Sequence, residues 1–111
     1  KGIKKGYFNS DKSSVIYPPI EFSIFTPPSK EQIQKLKSDL KIPQNCFIVG
    51  TVGRLDIAKG YNYLLEAISI VKKCYPWILC LFIGEGKERK SLENLANHLR
   101  IKDHVRFLGI Q

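Results

Sequence analysis

Apolar residues recur along this chain with two periods, and the alternation between them sets out an order of elements. Phe47 to Val52 is apolar apart from Gly50 and Thr51, and Ile78 to Ile83 is six apolar residues in succession. The second run has the pattern of a strand covered on both faces, as in a parallel sheet. Val105-Arg106-Phe107-Leu108 reads as a third strand, closed by Gly109. Between the runs, Tyr61, Leu64, Leu65, Ile68 and Val71, and then Leu92, Leu95, Ala96 and Leu99, fall on helical spacing. Lys72 and Lys73 complement the carboxyl-terminal dipole of the first of these helices, and Pro76 breaks it. The order β-α-β-α-β follows. Right-handed crossovers would lay the three strands side by side in one parallel sheet with helices over its faces, half of a doubly wound α/β fold.

Upstream of that core the signals are shorter. Ser14-Val15-Ile16-Tyr17 reads as a short strand stopped by Pro18-Pro19, because proline supplies no amide donor. An extended loop from Ile20 runs to Pro27-Pro28. Ser29-Lys30-Glu31-Gln32 then has the S-x-x-Q form of a capping box, so a helix is expected from there. Ile33, Leu36, Leu40 and Ile42 give it a narrow apolar face, and Pro43 ends it. The chain divides into a lead-in over 1–14, a strand and Pro-rich loop over 15–28, and a helix with the β-α-β-α-β core over 29–111. With no Met in the sequence and Gln111 directly after an apparent strand, an internal piece of a longer protein is expected.

At 111 residues the chain holds at most one modest domain, and its 43% apolar and 25% charged composition is that of a globular protein. No apolar run approaches the roughly 18 residues of a membrane helix. The formal charge of +8 favours anionic partners. Most of the cations are Lys scattered through helices and loops, and no RRM, KH or zinc-finger pattern is present, so nucleic acid is not the expected partner. A preference for anionic membrane surfaces is more plausible, with Lys1, Lys4, Lys5 and Lys12 as its source. Cys46, Cys74 and Cys80 form no C-x-x-C pair, and His98 and His104 lack ligand-like spacing to them, so no metal site is expected. A core thiol at Cys80 suits a reducing cytosol.

The chemistry-bearing stretch is Thr51 to Gly60, which puts Arg54, Lys59, Gly53 and Gly60 on the turn between the first core strand and its helix. In an open parallel sheet that turn lies at the carboxyl edge, where ligands bind. A guanidinium can grip phosphate oxygens bidentately, an ammonium acts as a compact charge, and the helix amino terminus adds its dipole. Spacing alone fits ordinary exposed loop cations at least as well. Gly84-Glu85-Gly86-Lys87-Glu88-Arg89 has Arg where the dinucleotide fingerprint needs a third glycine, and no P-loop, G-x-S-x-G or H-E-x-x-H motif occurs.

Five motifs occur in order: Val15-Ile16-Tyr17-Pro18-Pro19-Ile20-Glu21 through Phe25-Thr26-Pro27, then Gly53-Arg54-Leu55 with Lys59-Gly60, Leu64-Leu65-Glu66-Ala67, Ile83-Gly84-Glu85-Gly86, and Val105 to Gly109. Together they resemble the carboxyl-terminal domain of retaining GT-B glycosyltransferases of the "glycosyl transferases group 1" family, over nearly the whole chain from Val15 onward. The resemblance implies two Rossmann-like domains facing a cleft, of which this chain is part of the second, holding a UDP- or GDP-linked hexose for transfer to a glycan or lipid-linked acceptor. It implies that Arg54 and Lys59, with Gly53 and Gly60, contact the donor diphosphate and stabilise the leaving group electrostatically without a metal or other cofactor. By the same resemblance Gly84, Glu85 and Gly86 border the donor pocket, and Gly109 and Ile110 lie near the base. Glu85 also fits a solvated loop carboxylate.

The departures are as informative. The E-x7-E segment that binds donor sugar and ribose in the family should follow the third strand, and the acceptor-binding amino-terminal domain should precede this chain; neither is within it. No catalytic residue is therefore expected here, and the chain alone should be inactive. The resemblance implies a cytoplasmic enzyme, at the cytosolic face of a membrane where the acceptor is lipid-linked. A non-enzymatic α/β module that binds a nucleotide or a partner remains the alternative.

Overall fold

A computed structural model describes residues 14–16 and 18–111. Three strands, β1 (Phe47–Val52), β2 (Ile78–Ile83) and β3 (Val105–Gly109), form one parallel sheet in the order β1-β2-β3. The helices are α1 (Lys30–Asp39), α2 (Tyr61–Val71) and α3 (Arg89–His98). The β-α-β-α-β core expected from the hydrophobic pattern is the observed one. Because successive right-handed crossovers advance in one direction across the sheet, α2 and α3 share a face. Their buried positions, Leu65 and Ile68 on α2 and Leu92 and Ala96 on α3, pack with Cys80 and Phe82 of β2 and with Ile101. Leu65, Phe82 and Ile101 are wholly buried, each contributing about 1.5–3 kcal/mol of transfer free energy.

The opposite face is thinner. Leu79 and Leu81 of β2 pack there with Ile42, against the partly buried Leu40, Cys46, Ile48 and Leu108. Central β2 is therefore covered on both sides, as its unbroken apolar run requires. Strand alternation puts Leu108 on this face, opposite Val105 and Phe107, and the β2/β3 register shifts at Phe82/Ile83, where Ile83 faces Gly109.

The capping box that starts α1 is present, with Ser29 Oγ accepting from the Gln32 amide at 3.2 Å and Gln32 Oε1 accepting from the Ser29 amide at 2.8 Å. Its stop differs from the expectation. Helix α1 ends at Asp39, ahead of Pro43, through a left-handed Lys41 (φ 53°) whose amide donates to Ser38 while the Ile42 amide donates to Lys37. That is a Schellman ending. Helix α3 ends the same way on Arg100 (φ 56°), with the Arg100 amide bonded to Asn97 and the Ile101 amide to Ala96. In both, the next residue, Ile42 or Ile101, is driven into the core.

Two further expectations are corrected. The expected strand at Ser14-Val15-Ile16-Tyr17 is absent from Ser14 to Ile16, which are irregular and exposed, and Tyr17 lies outside the described residues. Apolar content makes a strand only where a neighbouring ladder takes up its backbone groups, and in the described sheet β1 pairs only with β2. The expected loop over 20–28 carries a single 3-10 turn, Phe22–Ile24. On α1, Ile33 and Leu36 are exposed, so of the proposed apolar face only Ile42, just past the helix, is buried. The lead-in cations Lys1, Lys4, Lys5 and Lys12 lie outside the described residues.

Candidate functional site

The three turns that leave the carboxyl ends of the strands are bonded to one another through their backbones. The Gly53 amide donates to the Ile83 carbonyl (3.0 Å), the Leu55 amide to Glu85 (3.0 Å), and the Glu88 amide back to Leu55 (2.9 Å). The Gly84 amide donates to Gly109 (2.8 Å), which ties the second turn to the third. Such contacts leave no room for side chains. A Cβ on Gly84, at φ 137°, would sit 2.0 Å from the Gly53 carbonyl oxygen, and one on Gly86 would sit 2.5 Å from the Leu55 oxygen.

Above this backbone weave lies an open groove of about 440 Å³, whose lining includes Gly53, Arg54, Gly84, Glu85 and Ile110. Five of the residues singled out from the sequence thus come together. Lys59 and Gly60 lie at the far end of the first turn and do not line the groove; Gly86 lies closely against the Leu55 backbone, and Gly109 accepts from the Gly84 amide. Lys59 closes a 3-10 turn over Ile57–Lys59 and is exposed. Gly60, at φ 64°, is the N-cap of α2 and supplies the left-handed step between that turn and the helix. No side chain caps α2; the Tyr63 amide donates to the Gly60 carbonyl at 3.0 Å, and the Tyr61 and Asn62 amides remain for solvent or a ligand.

Arg54 is 78% exposed at its side chain, and its Nε lies 3.3 Å from Asp56 Oδ2. An exposed pair of this kind is worth under about 1 kcal/mol, so Asp56 holds Arg54 without committing it. Beneath Gly53 is Tyr61, whose hydroxyl accepts from Thr51 Oγ1 at 3.2 Å. A Cβ on Gly53 would come within 2.9 Å of that hydroxyl. The Tyr61 ring meets Phe82 edge to face, and Phe82 stacks on Phe107 at 4.9 Å, so one aromatic row underlies all three turns.

Three participants went unread in the sequence. Tyr61 reads in the sequence only as an apolar helix position, and Asp56 carries no separate signal there. Arg89 stood out only for breaking the glycine fingerprint, yet it ion-pairs with Glu85, donates from Nε to Glu93 Oε1 at 3.0 Å and from Nη2 to the Phe107 carbonyl at 3.4 Å. The Glu85/Arg89/Glu93 spacing of four residues carried that signal. Hydrogen bonding to Glu93, aided by the charge of Glu85 against partial burial, raises the Arg89 pKa further above its ordinary value. Glu85 is thus a paired carboxylate. Among the described residues no group of three or more His, Cys, Asp or Glu comes together.

A parallel α/β sheet with an open groove at its carboxyl edge, lined by Arg54 and Glu85, defines a class of ligand-binding domain, and comparison with known proteins places the chain within it. Residues 32–111 match the family model described as "Glycosyl transferases group 1", and the chain belongs to that family. It is 37% identical over 75 residues to the lipopolysaccharide core biosynthesis glycosyltransferase LpsD of Rhizobium meliloti, an alignment covering 68% of this chain and 21% of LpsD. Among solved structures it is similar to Anabaena Alr3699/HepE in complex with UDP, at a TM-score of 0.84 and 27% identity over 98% of this chain and 30% of that one. It is also similar to the C-terminal domain of the Glycosyl Transferase Group 1 family protein LpcC from Francisella tularensis, at a TM-score of 0.64 and 26% identity over 84% of this chain and 49% of that one. The chain thus spans about a fifth of the length of LpsD and about a third of HepE.

Proposed function

We propose that this chain is the donor-binding part of a retaining hexosyltransferase of GT-B architecture, belonging to its carboxyl-terminal domain. The observation that carries the reading is the groove where Gly53, Arg54, Gly84 and Glu85 converge at the carboxyl edge of the sheet, in a fold shared with a structure that holds UDP. The likeness to the C-terminal domain of LpcC supports the domain assignment. A UDP- or GDP-linked hexose lies with its diphosphate against Arg54, Lys59 and the uncapped start of α2, with Gly53 and Gly60 admitting the anion and Gly84, Gly86, Gly109 and Ile110 bordering the rest of the donor.

As the bond from the anomeric carbon to the diphosphate breaks, negative charge grows on the leaving group. Arg54 can meet it bidentately and Lys59 as a mobile point charge, with the α2 dipole aligned to the same end. In this reading no metal is required, because the two cations supply the electrostatic stabilisation. The acceptor, a glycan or lipid-linked sugar, is presented by an amino-terminal domain; the relation to a lipopolysaccharide core enzyme supports that class. A cytoplasmic enzyme resting on an anionic membrane face is consistent with the +8 charge. Among the described residues no helix is long and apolar enough to cross a membrane.

Titration of UDP- and GDP-sugars into the full-length protein tests the reading. Arg54→Ala and Lys59→Ala are each expected to weaken donor binding on the order of tenfold, the scale of a lost charge-assisted phosphate contact. Unchanged donor affinity and turnover in both variants would remove the assignment. The anomeric configuration of the product, read by NMR, decides between retention and inversion.

A further inference from the structure

Arg89 sits where helix electrostatics would not put it. It is the first residue of α3, with Lys90 next and no acidic residue in the first turn, and the N-cap Glu88 makes no side-chain cap. A cation there opposes the positive end of the helix dipole. Departures from local preference of this kind concentrate at functional sites. The pair with Glu93 would serve the helix alone, but Arg89 also reaches away from it, to Glu85 on the second turn and to the Phe107 carbonyl on the third strand.

Glu85 faces the donor groove. Its charge and that of Arg54 are the two formal charges in the groove lining, and Arg54 is already shared with Asp56. A free carboxylate at Glu85 would repel a diphosphate and offset the attraction of Arg54. We infer that Arg89 is a positioning residue for the donor: by pairing with Glu85 it cancels a negative charge in the groove and pins that carboxylate beside Gly109, and this is what lets the groove accept a nucleoside diphosphate. The pinning is tight, since a Cβ on Gly109 would lie 3.2 Å from Glu85 Oε1 and 3.9 Å from Arg89 Nη1. With two carboxylates and a carbonyl on its nitrogens, Arg89 is engaged by the protein and acts through Glu85.

This inference rests on the proposed donor reading, and the test separates the two. UDP and GDP, with uridine and guanosine as uncharged controls, are titrated into the full-length protein and its Arg89→Gln, Arg89→Lys, Glu85→Gln and Glu85→Gln/Arg89→Gln forms, with thermal unfolding recorded for each. Arg89→Gln should weaken diphosphate binding on the order of tenfold while leaving nucleoside binding in place. Arg89→Lys should retain most of the affinity, and the double variant should return to within about twofold of the parent, because the repelling charge is gone. A role confined to holding the fold would weaken nucleoside and diphosphate alike and would not be rescued by Glu85→Gln.

Where Arg89→Gln fails to fold, Glu85→Gln alone decides the matter: it should bind diphosphate more tightly, and weaker binding overturns the inference. An unaltered affinity in Arg89→Gln, or no rescue in the double variant, overturns it while the donor reading stands. If the parent protein binds neither UDP nor GDP, both fall together.

Discussion

The two ends of the same sheet turn the chain by opposite means. At the carboxyl end the turns carry Gly53, Gly84 and Gly86, and any Cβ added there would strike a neighbouring turn's backbone or the Tyr61 hydroxyl. At the amino end the connections after α1 and α3 use Lys41 and Arg100 in left-handed conformations at φ 53° and 56°, although glycine would be the unstrained choice. The glycines at the carboxyl end therefore answer chiefly to a need for room between backbones, and only secondarily to dihedral freedom. Turns packed amide to carbonyl leave an open groove above them, whereas the amino-end turns are free to carry long side chains.

The most severe test of this contrast is Gly84→Ala. A methyl group 2.0 Å from the Gly53 oxygen at a backbone φ of 137° should cost about 3 kcal/mol or more, measured by urea unfolding. Phe47→Ala at the other end, where the ring is 63% exposed, should cost under about 1 kcal/mol. A smaller loss in Gly84→Ala than in Phe47→Ala would break the comparison.

Next in size is the core strand that joins the two ends. Cys80 is fully buried, and burial pushes its thiol up to about 11 from 9.0. A folded-state pKa above the unfolded one stabilises the fold below pH 9 and loses that contribution as pH rises through about 11. The loss should approach roughly 2–3 kcal/mol. Stability curves against pH for the parent and Cys80→Ala should therefore converge across that window; parallel curves would show that burial leaves the thiol's affinity for its proton unchanged.

The smallest expected effect is a gain. Arg100→Gly should stabilise the fold by up to about 1 kcal/mol, since the left-handed residue loses its Cβ penalty. Thermal unfolding shifted upward by a few degrees would support dihedral strain at the amino end. No shift would mean that the Arg100 side chain compensates for its backbone.

Much of the fold is legible in the sequence. The unbroken run of Ile78 to Ile83 marked the central strand because both its faces are covered, and the spacing of Leu65, Ile68, Leu92 and Ala96 marked the helix faces that meet it. The capping box at Ser29 was legible because its four residues contain both partners. What depends on distant partners was not. The apolar residues Val15 and Ile16 looked like a strand, but a strand is made by its neighbour, and these two are 75% and 87% exposed. The stops of α1 and α3 were hidden because Lys and Arg are improbable left-handed residues, and only the burial of Ile42 and Ile101 makes those turns worthwhile. At the candidate site, Arg54 and the glycines of the groove were visible as a motif, while Asp56, Tyr61 and Arg89 gain meaning only from what they touch.

The bond between the Gly84 amide and the Gly109 carbonyl spans 25 residues of sequence, and it sets an order in time. During synthesis β1, α2 and β2 can dock as soon as they emerge, because their contacts are with chain already made. The second turn then waits, its Gly84 amide unpaired and Arg89 without the Phe107 carbonyl, until β3 is released. Under the donor reading proposed above, nucleotide capture by a nascent chain is expected only after residue 109 clears the ribosome. The third strand acts as the latch that completes the backbone weave beneath the groove.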